Sequence, residues 1–198
     1  MKKFSNTYIF IYITALVLLI AVVLTVVSSG LKPRRDLNRQ AEKYQQILRA
    51  AGHDIDRTKA VVAFSNLTVP LTEDGRQYRV VCADGTKGIA IRLDGKGLWG
   101  PLWGYAVISE DGQTLKGISL DHKSETPGLG AKITEEHFLK SFKEKKLYDK
   151  NGRFVSVRVL KPGTHNEIAE ENRVDAISGA TITSRGVDEM MEQLKINN

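Results

Sequence analysis

A run of twenty residues without a charged side chain, Tyr8 to Val27, constrains this chain more than any other feature. About 20 apolar residues are needed to cross a bilayer as a helix. A cleaved signal peptide and a buried core helix are the alternatives, but a signal peptide usually has a shorter apolar stretch and a small-residue cleavage site. The sequence therefore predicts a membrane anchor over residues 1–30 and one domain over residues 31–198.

Charge does not fix the orientation of this anchor. Two lysines precede it and four basic residues follow within residues 32–39, a balance that favours a cytoplasmic C-terminal side. A large following domain can be translocated regardless of flanking charge, so the side stays open. The net charge of +6 is spread along the chain without a basic stripe, and we expect no nucleic-acid partner.

The rest of the chain has the pattern of an antiparallel sheet. Asp-Gly pairs at Asp84, Asp94 and Asp111 separate short β-prone runs, and Asp-Gly between such runs is a strong hairpin signal. The predicted strands are Tyr78–Ala83, Gly88–Leu93, Gly104–Ile108, Leu115–Leu120 and Phe154–Leu160. Cys82 is expected to be a buried strand thiol.

Three helices are predicted to pack on this sheet, from Asp36 to Ala51, Thr134 to Lys143 and Ser184 to Lys195. Residues 53–76 are expected to form loops and one short strand. The apolar positions of the first and last helices each form one face; they are Tyr44, Ile47, Leu48 and Ala51, and Val187, Met190, Met191 and Leu194. The predicted class is α+β: a single transmembrane helix, then an antiparallel-sheet domain with packed helices.

Two segments contain more glycine than hairpin turns alone require. The segment Gly95–Gly104 holds Trp99 and Trp103, and predicts either a partly exposed apolar platform or, preferred on these residues alone, a tight loop whose tryptophans fill the core. In Glu125-Thr126-Pro127-Gly128-Leu129-Gly130, Pro-Gly marks a turn with Gly128 at positive φ. Such glycines allow a flat ligand to approach the backbone, although turns of this composition are common.

The third segment, Asp175 to Ser184, precedes the last helix. Its centre is Ser178-Gly179-Ala180-Thr181, and a helix that began there would direct free N–H groups and the positive end of its dipole at an anion such as phosphate. The alternative is an ordinary helix cap by Thr183 or Ser184. The four histidines, His53, His122, His137 and His165, have no metal-binding spacing, and no NADH-binding motif occurs.

Together these segments resemble a known family, the FMN-binding domain shared by the C subunit of the Na⁺-translocating NADH:quinone reductase and the G subunit of the Rnf electron-transport complex. The resemblance covers nearly the whole chain and is carried by Leu31-Lys32-Pro33, ILRAAG from Ile47, GKGLWGPLWGY from Gly95, ETPGLG from Glu125 and DAISGAT from Asp175. The GKGLW and ILRAAG stretches are more similar to the reductase than to the Rnf protein.

The resemblance implies that FMN is bound covalently, through a phosphoester to Thr181. A separate flavin transferase, which uses FAD and Mg²⁺, would recognise the segment through Asp175. The implied FMN-binding residues are Ser178, Gly179, Ala180 and Thr183 around the attachment point, with Glu125, Thr126, Gly128, Leu129 and Trp99 near the ring.

The function implied is that of an electron-carrying subunit of a Na⁺-translocating NADH:quinone oxidoreductase, without complete activity alone. Electrons would come from an iron–sulfur membrane subunit and pass through a second covalent-FMN subunit toward ubiquinone. The family places the domain on the periplasmic side of the bacterial inner membrane. The alternatives are the G subunit of the Rnf ferredoxin:NAD⁺ complex, a membrane-anchored sensory or assembly module without redox function, and a generic periplasmic binding domain.

Overall fold

The computed structural model describes residues 5–163 and 168–195. Its contacts divide the chain into two units, Met1–Gln40 and Ala41–Asn198. The first unit is helical from Asn6, and its apolar residues from Tyr8 to Val27 are exposed, which disagrees with a buried core helix. Within the described residues, this is the one helix that is long and apolar enough to span a membrane, a property that a signal sequence shares.

One continuous helix, α1, runs from Asn6 to Ala50. The expected separate helix starting at Asp36 is therefore wrong, because Pro33 lies inside α1 instead of breaking it. Proline removes one backbone N–H donor, yet Pro33 is accommodated within this helix. Here Arg35 donates to the carbonyl and the hydroxyl of Ser28, which adds a link across the proline turn.

The second unit is built on a six-stranded antiparallel sheet of order β1-β2-β3-β4-β5-β6. The strands are β1 Thr68–Pro70, β2 Gln77–Val81, β3 Lys87–Lys96, β4 Pro101–Ser109, β5 Thr114–His122 and β6 Lys145–Lys146. The predicted meander is thus confirmed, as is the short strand within residues 53–76.

Two of the three Asp-Gly turns are confirmed: those after Asp84, between β2 and β3, and after Asp111, between β4 and β5. The third is wrong, because Asp94 and Gly95 lie inside β3, opposite Trp103 and Leu102. The chain turns instead over residues 97–100, where Gly97 N–H donates to the Gly100 carbonyl (2.8 Å).

Three other expectations differ from the structure. Residues expected as loop form helix α2, Arg57–Leu67, which buries only Ala60 and so shows little apolar pattern. A 3₁₀ turn, Gly130–Thr134, leads to a shorter α3, Glu136–Lys140. The strand expected from Phe154 begins only at Arg158, because Ser156 takes a φ of +61°; this β7, Arg158–Leu160, pairs in parallel with β8, Arg173–Asp175.

The last helix, α4, runs from Thr181 to Met191 and begins three residues before the predicted start at Ser184. A 3₁₀ turn, Glu192–Leu194, follows it. The predicted apolar face is confirmed, since Val187, Met190 and Met191 on α4 and Leu194 in this turn are at most 1% exposed. They join the core on one face of the sheet, with α3.

The opposite face of the sheet is covered by the last turns of α1. Ile47, Ala50 and Ala51 pack there with the inward side chains of β2 and β4. Leu48 is also fully buried, so the predicted docking of this helical face is confirmed. Cys82 is buried as expected, one residue beyond the end of β2.

Candidate functional site

A buried carboxylate, Glu125, joins three distant segments of the chain. Glu125 lies in the loop that follows β5, and only 5% of the residue is exposed. Oε1 accepts a hydrogen bond from the backbone N–H of Trp99 (2.9 Å), and Oε2 accepts one from the hydroxyl of Thr183 (2.6 Å). The turn after β3, the ETPGLG loop and the first turn of α4 therefore meet at one side chain.

The environment of Glu125 keeps it ionised. Burial alone would raise its pKa, but hydrogen bonds from Thr183 and from the backbone N–H groups of Trp99 and Gly100 outweigh that effect. The net result is a pKa below the ordinary value for glutamate. His122 also accepts a hydrogen bond from the Glu125 N–H at Nδ1 (3.2 Å).

The turn that carries Trp99 holds its backbone and exposes its side chain. Besides the N–H bond to Glu125, the Trp99 carbonyl accepts a hydrogen bond from the Ser124 hydroxyl (3.2 Å). Trp99 is nevertheless 66% exposed, and the preferred expectation that it fills the core is wrong. Its neighbour Leu98 is also exposed, whereas Trp103 is half-buried in β4. The turn thus presents an apolar surface.

The ETPGLG loop lies against the segment that precedes α4. Gly128 has a φ of +76°, which confirms the predicted turn, and Leu129 N–H closes it on the Thr126 carbonyl (3.1 Å). A Cβ placed on Gly179 would lie 3.0 Å from Leu129 Cδ2, so the two loops are in contact. Leu129 and Thr126 are exposed beside this contact.

The segment before α4 forms a turn closed by Ala180 N–H on the Ile177 carbonyl (3.1 Å), with Gly179 at φ +78°. The first helical bond is Ser184 N–H to the Ala180 carbonyl (2.8 Å). The cap residue is Ala180, so the alternative of an ordinary cap by Thr183 or Ser184 is wrong. Ser184 instead accepts a hydrogen bond from the Ile177 N–H (3.1 Å) and braces the turn.

The structure separates the hydroxyl groups of this segment into two kinds. Thr183 and Ser184 are buried and hydrogen-bonded, whereas Ser178 and Thr181 are exposed. Thr181 is the first residue of α4. The first N–H groups of a helix lack intrahelical partners and carry the positive end of its dipole, so an anion is favoured at this position.

The remaining predicted positions lie around these segments. Asp175 is exposed at the end of β8, and Ser178 and Gly179 are exposed in the turn. Ile182, which the sequence did not single out, is 53% exposed and adds a large apolar side chain on α4. His165 lies outside the described residues, within which no three His, Cys, Asp or Glu side chains group as metal ligands would.

The site combines an exposed hydroxyl at a helix N-terminus with exposed apolar side chains on the three segments that Glu125 joins. Such an exposed apolar group marks an interaction surface. FMN has a phosphate at one end and a flat ring at the other, and it therefore fits the combination of a helix N-terminus and an apolar surface. Residues 97–194, which include all three segments, match the FMN-binding domain family.

Solved and curated relatives extend this match to the rest of the chain. The crystal structure of the C subunit of Na⁺-translocating NADH-quinone reductase from Parabacteroides distasonis has a TM-score of 0.71 and 34% identity, over 85% of this chain and 98% of that one. The chain belongs to this family of C subunits. The predicted α+β class is confirmed by the same likeness, and the resemblance of the GKGLW and ILRAAG stretches to the reductase agrees with it.

Two curated relatives carry the same name. The C subunit of Haemophilus ducreyi is 27% identical over 95% of this chain and 90% of its own length. The C subunit of Neisseria meningitidis is 39% identical, but over 56% of this chain and 42% of its own length. The chain thus aligns with most of the length of the first relative and with less than half of the second.

Proposed function

We propose that this chain is the FMN-carrying subunit of a Na⁺-translocating NADH:quinone reductase, with FMN bonded through its phosphate to Thr181. The observation that carries the proposal is the exposed Thr181 hydroxyl at the start of α4, beside exposed apolar side chains on three joined segments. When bound, FMN supplies reversible electron transfer, and the protein supplies binding, orientation and electrostatics.

The phosphate end is held by α4 and the turn before it. A phosphodiester at Thr181 carries one negative charge, which the free N–H groups of the first helical turn stabilise. Gly179 gives the turn its left-handed backbone, and Ser178 and Ala180 precede the point of attachment in the same turn. The buried Ser184 hydroxyl keeps this turn in place through Ile177.

Attachment requires a second protein, because the DxxSGAT segment holds no histidine or lysine to act as a base for Thr181. We propose that a flavin transferase uses FAD and Mg²⁺. The Thr181 oxygen forms a bond to the phosphorus of the FMN moiety, the bond to AMP breaks, and the hydroxyl proton leaves to solvent. In this proposal the transferase recognises the segment through Asp175, which is exposed at the end of β8.

The ring end is held by the exposed side chains of the two glycine-rich segments. Trp99 and Leu129 offer apolar contact, and Thr126 offers a polar group on the same loop. Gly128 leaves open space, because a Cβ there would have no atom within 4 Å. A flat ring can therefore approach the backbone at this point.

The apolar run of α1 provides the membrane anchor in this proposal, with residues 1–30 in the bilayer of the bacterial inner membrane and residues 31–198 on the periplasmic side. Electrons come from an iron–sulfur membrane subunit and pass toward ubiquinone through a second covalent-FMN subunit. The span from Tyr8 to Val27 has no charged residue, so the sodium path lies in other subunits.

The test is co-expression of the full chain with the transferase, then a denaturing gel under ultraviolet light and peptide mass mapping. We expect a fluorescent band whose modified peptide carries FMN on Thr181, and loss of the band in Thr181→Ala. Ser65→Ala is the control, because it removes an exposed hydroxyl outside the segment and should leave labelling unchanged. A colourless wild type, or a label on Ser178, would overturn the proposal.

A further inference from the structure

We infer that Glu125 is a positioning residue for the proposed flavin site. It acts by holding the Trp99 turn against the first turn of α4, so that the apolar surface and the Thr181 hydroxyl keep a fixed spacing. The consequence for flavin rests on the proposed function, whereas the link itself is testable in flavin-free protein.

The first support is that the Glu125 carboxylate is directed toward other groups of this chain. Glu125 is buried, and both of its oxygens are bonded to groups of this chain, the Trp99 N–H and the Thr183 hydroxyl. These partners are 26 and 58 residues away in sequence. A carboxylate used in this way acts on a ligand through the groups it holds.

The second support is the space that two glycines leave for the carboxylate. A Cβ placed on Gly97 or on Gly130 would overlap the Glu125 carboxylate, and the one on Gly130 would also lie 2.7 Å from the Thr183 hydroxyl. Neither glycine has a positive φ that would itself require glycine. Their small size is therefore explained by the buried carboxylate between them.

The third support is that Ser124 and Glu125 together bind the backbone carbonyl and the backbone N–H of Trp99. Ser124 bonds the Trp99 carbonyl while Glu125 bonds its N–H. The exposed indole is thus carried on a backbone fixed at two points. A ligand that stacks on it then meets a rigid surface, which lowers the ordering cost of binding.

The inference makes a distinctive prediction: a change at Thr183 should be felt at Trp99, since Glu125 connects them. Thr183→Val keeps the side-chain shape and removes the hydroxyl that Glu125 binds, whereas Thr183→Ser keeps the hydroxyl. Ser184→Ala is the matched control, because it removes a buried hydroxyl of the same helical turn that bonds Ile177 instead.

The experiment uses the full chain, labelled with ¹⁵N-tryptophan and produced without the transferase. The chain has two tryptophans, so the spectrum has two backbone amide signals. Trp103 lies in the central strand β4 and serves as an internal reference. We expect Thr183→Val and Glu125→Gln to shift the Trp99 amide signal and leave that of Trp103 in place. Thr183→Ser and Ser184→Ala should match the wild type.

A pH titration of the same signals separates positioning from general structural loss. The wild-type Trp99 amide should shift as the Glu125 carboxyl is protonated, and Glu125→Gln should remove this titration. An unmoved Trp99 signal in Thr183→Val, together with an unchanged titration in Glu125→Gln, would overturn the inference. Thr183→Val and Glu125→Gln both keep the volume of the original side chain. Neither leaves a cavity at the buried site, so we expect both variants to fold.

A second arm uses chain matured with the transferase. Thr183→Val should still carry FMN on Thr181 by mass, with a flavin absorption band shifted from that of the wild type. An unshifted band would refute the effect on flavin. Absence of FMN from the wild type would refute the proposed function, while the amide signals would still decide whether Glu125 links Trp99 to α4.

Discussion

The position of α4, which carries Thr181, depends on a second buried carboxylate, Asp188. Its Oδ1 accepts hydrogen bonds from Arg158 Nε (2.9 Å) and from the Val159 N–H (2.7 Å), and its Oδ2 accepts one from an Arg158 terminal nitrogen (2.7 Å). These bonds join the middle of α4 to β7. We predict that Asp188→Ala destabilises the domain strongly.

The size of the effect follows from what the substitution leaves behind. Losing the acceptor leaves the buried Val159 N–H without its partner, at a cost of about 1–3 kcal/mol. Breaking a fully buried ion pair costs roughly 3–5 kcal/mol, but the Arg158 side chain is 35% exposed and can regain water. We therefore expect a loss of about 2–4 kcal/mol. A loss of about 3 kcal/mol lowers the Tm of a domain of this size by roughly 6–12 °C.

The assay is thermal unfolding of the full chain in detergent, followed by near-ultraviolet circular dichroism, which reports tertiary packing of the domain. Glu136→Ala is the control, because it breaks the exposed pair between Glu136 and Lys140 (2.6 Å), and exposed pairs contribute little. A Tm of Asp188→Ala equal to that of Glu136→Ala would show that Asp188 does not anchor α4, and the reasoning would be refuted.

Two further predictions concern the same elements. Because the pKa of Glu125 is lowered in the folded protein, its ionisation stabilises the fold fully above the ordinary pKa of about 4.3 and loses this effect as the pH falls through the lowered value. The Tm difference between wild type and Glu125→Gln should thus be largest at neutral pH and shrink in acid; a difference that grows in acid would contradict this. Gly186→Ala should lower the Tm although alanine favours a helix by roughly 1 kcal/mol, since the added Cβ would overlap the Lys96 carbonyl. Gly30→Ala, with nothing within 4 Å, is its helical control, and a Tm of Gly186→Ala above the wild type would refute the clash.

Sequence patterns that extend over only a few residues were sufficient to predict the antiparallel sheet and the apolar face of α4. Asp84-Gly85 and Asp111-Gly112 join neighbouring strands, and a hairpin depends only on the residues at its turn. Val187, Met190 and Met191 recur at helical spacing and are fully buried. In these places local propensity and the final packing agree.

Distant contacts explain the errors. Gly95 looks like a turn glycine, yet it lies in β3. Its lack of a side chain is explained by a distant contact, because a Cβ there would lie 2.5 Å from Met190 Cγ, on α4. Helix α2 buries Ala60 alone and stacks Phe64 on Tyr44 (3.8 Å between ring centroids), so its stability comes from a partner that periodicity does not show. Glu125 was expected near the flavin ring, and its partners Trp99 and Thr183 become evident only in three dimensions.

The start of α4 decides which hydroxyl the segment offers. With a helix starting at Ser184, as the sequence predicted, Thr181 and Thr183 would both precede it as alternative attachment points. The observed start at Thr181 instead turns Thr183 inward to Glu125 and Ser184 inward to Ile177, and leaves Thr181 exposed beside the free helical N–H groups. Under the proposed function, the choice of Thr181 over Thr183 and Ser184 is therefore made by the fold and does not require a more reactive oxygen.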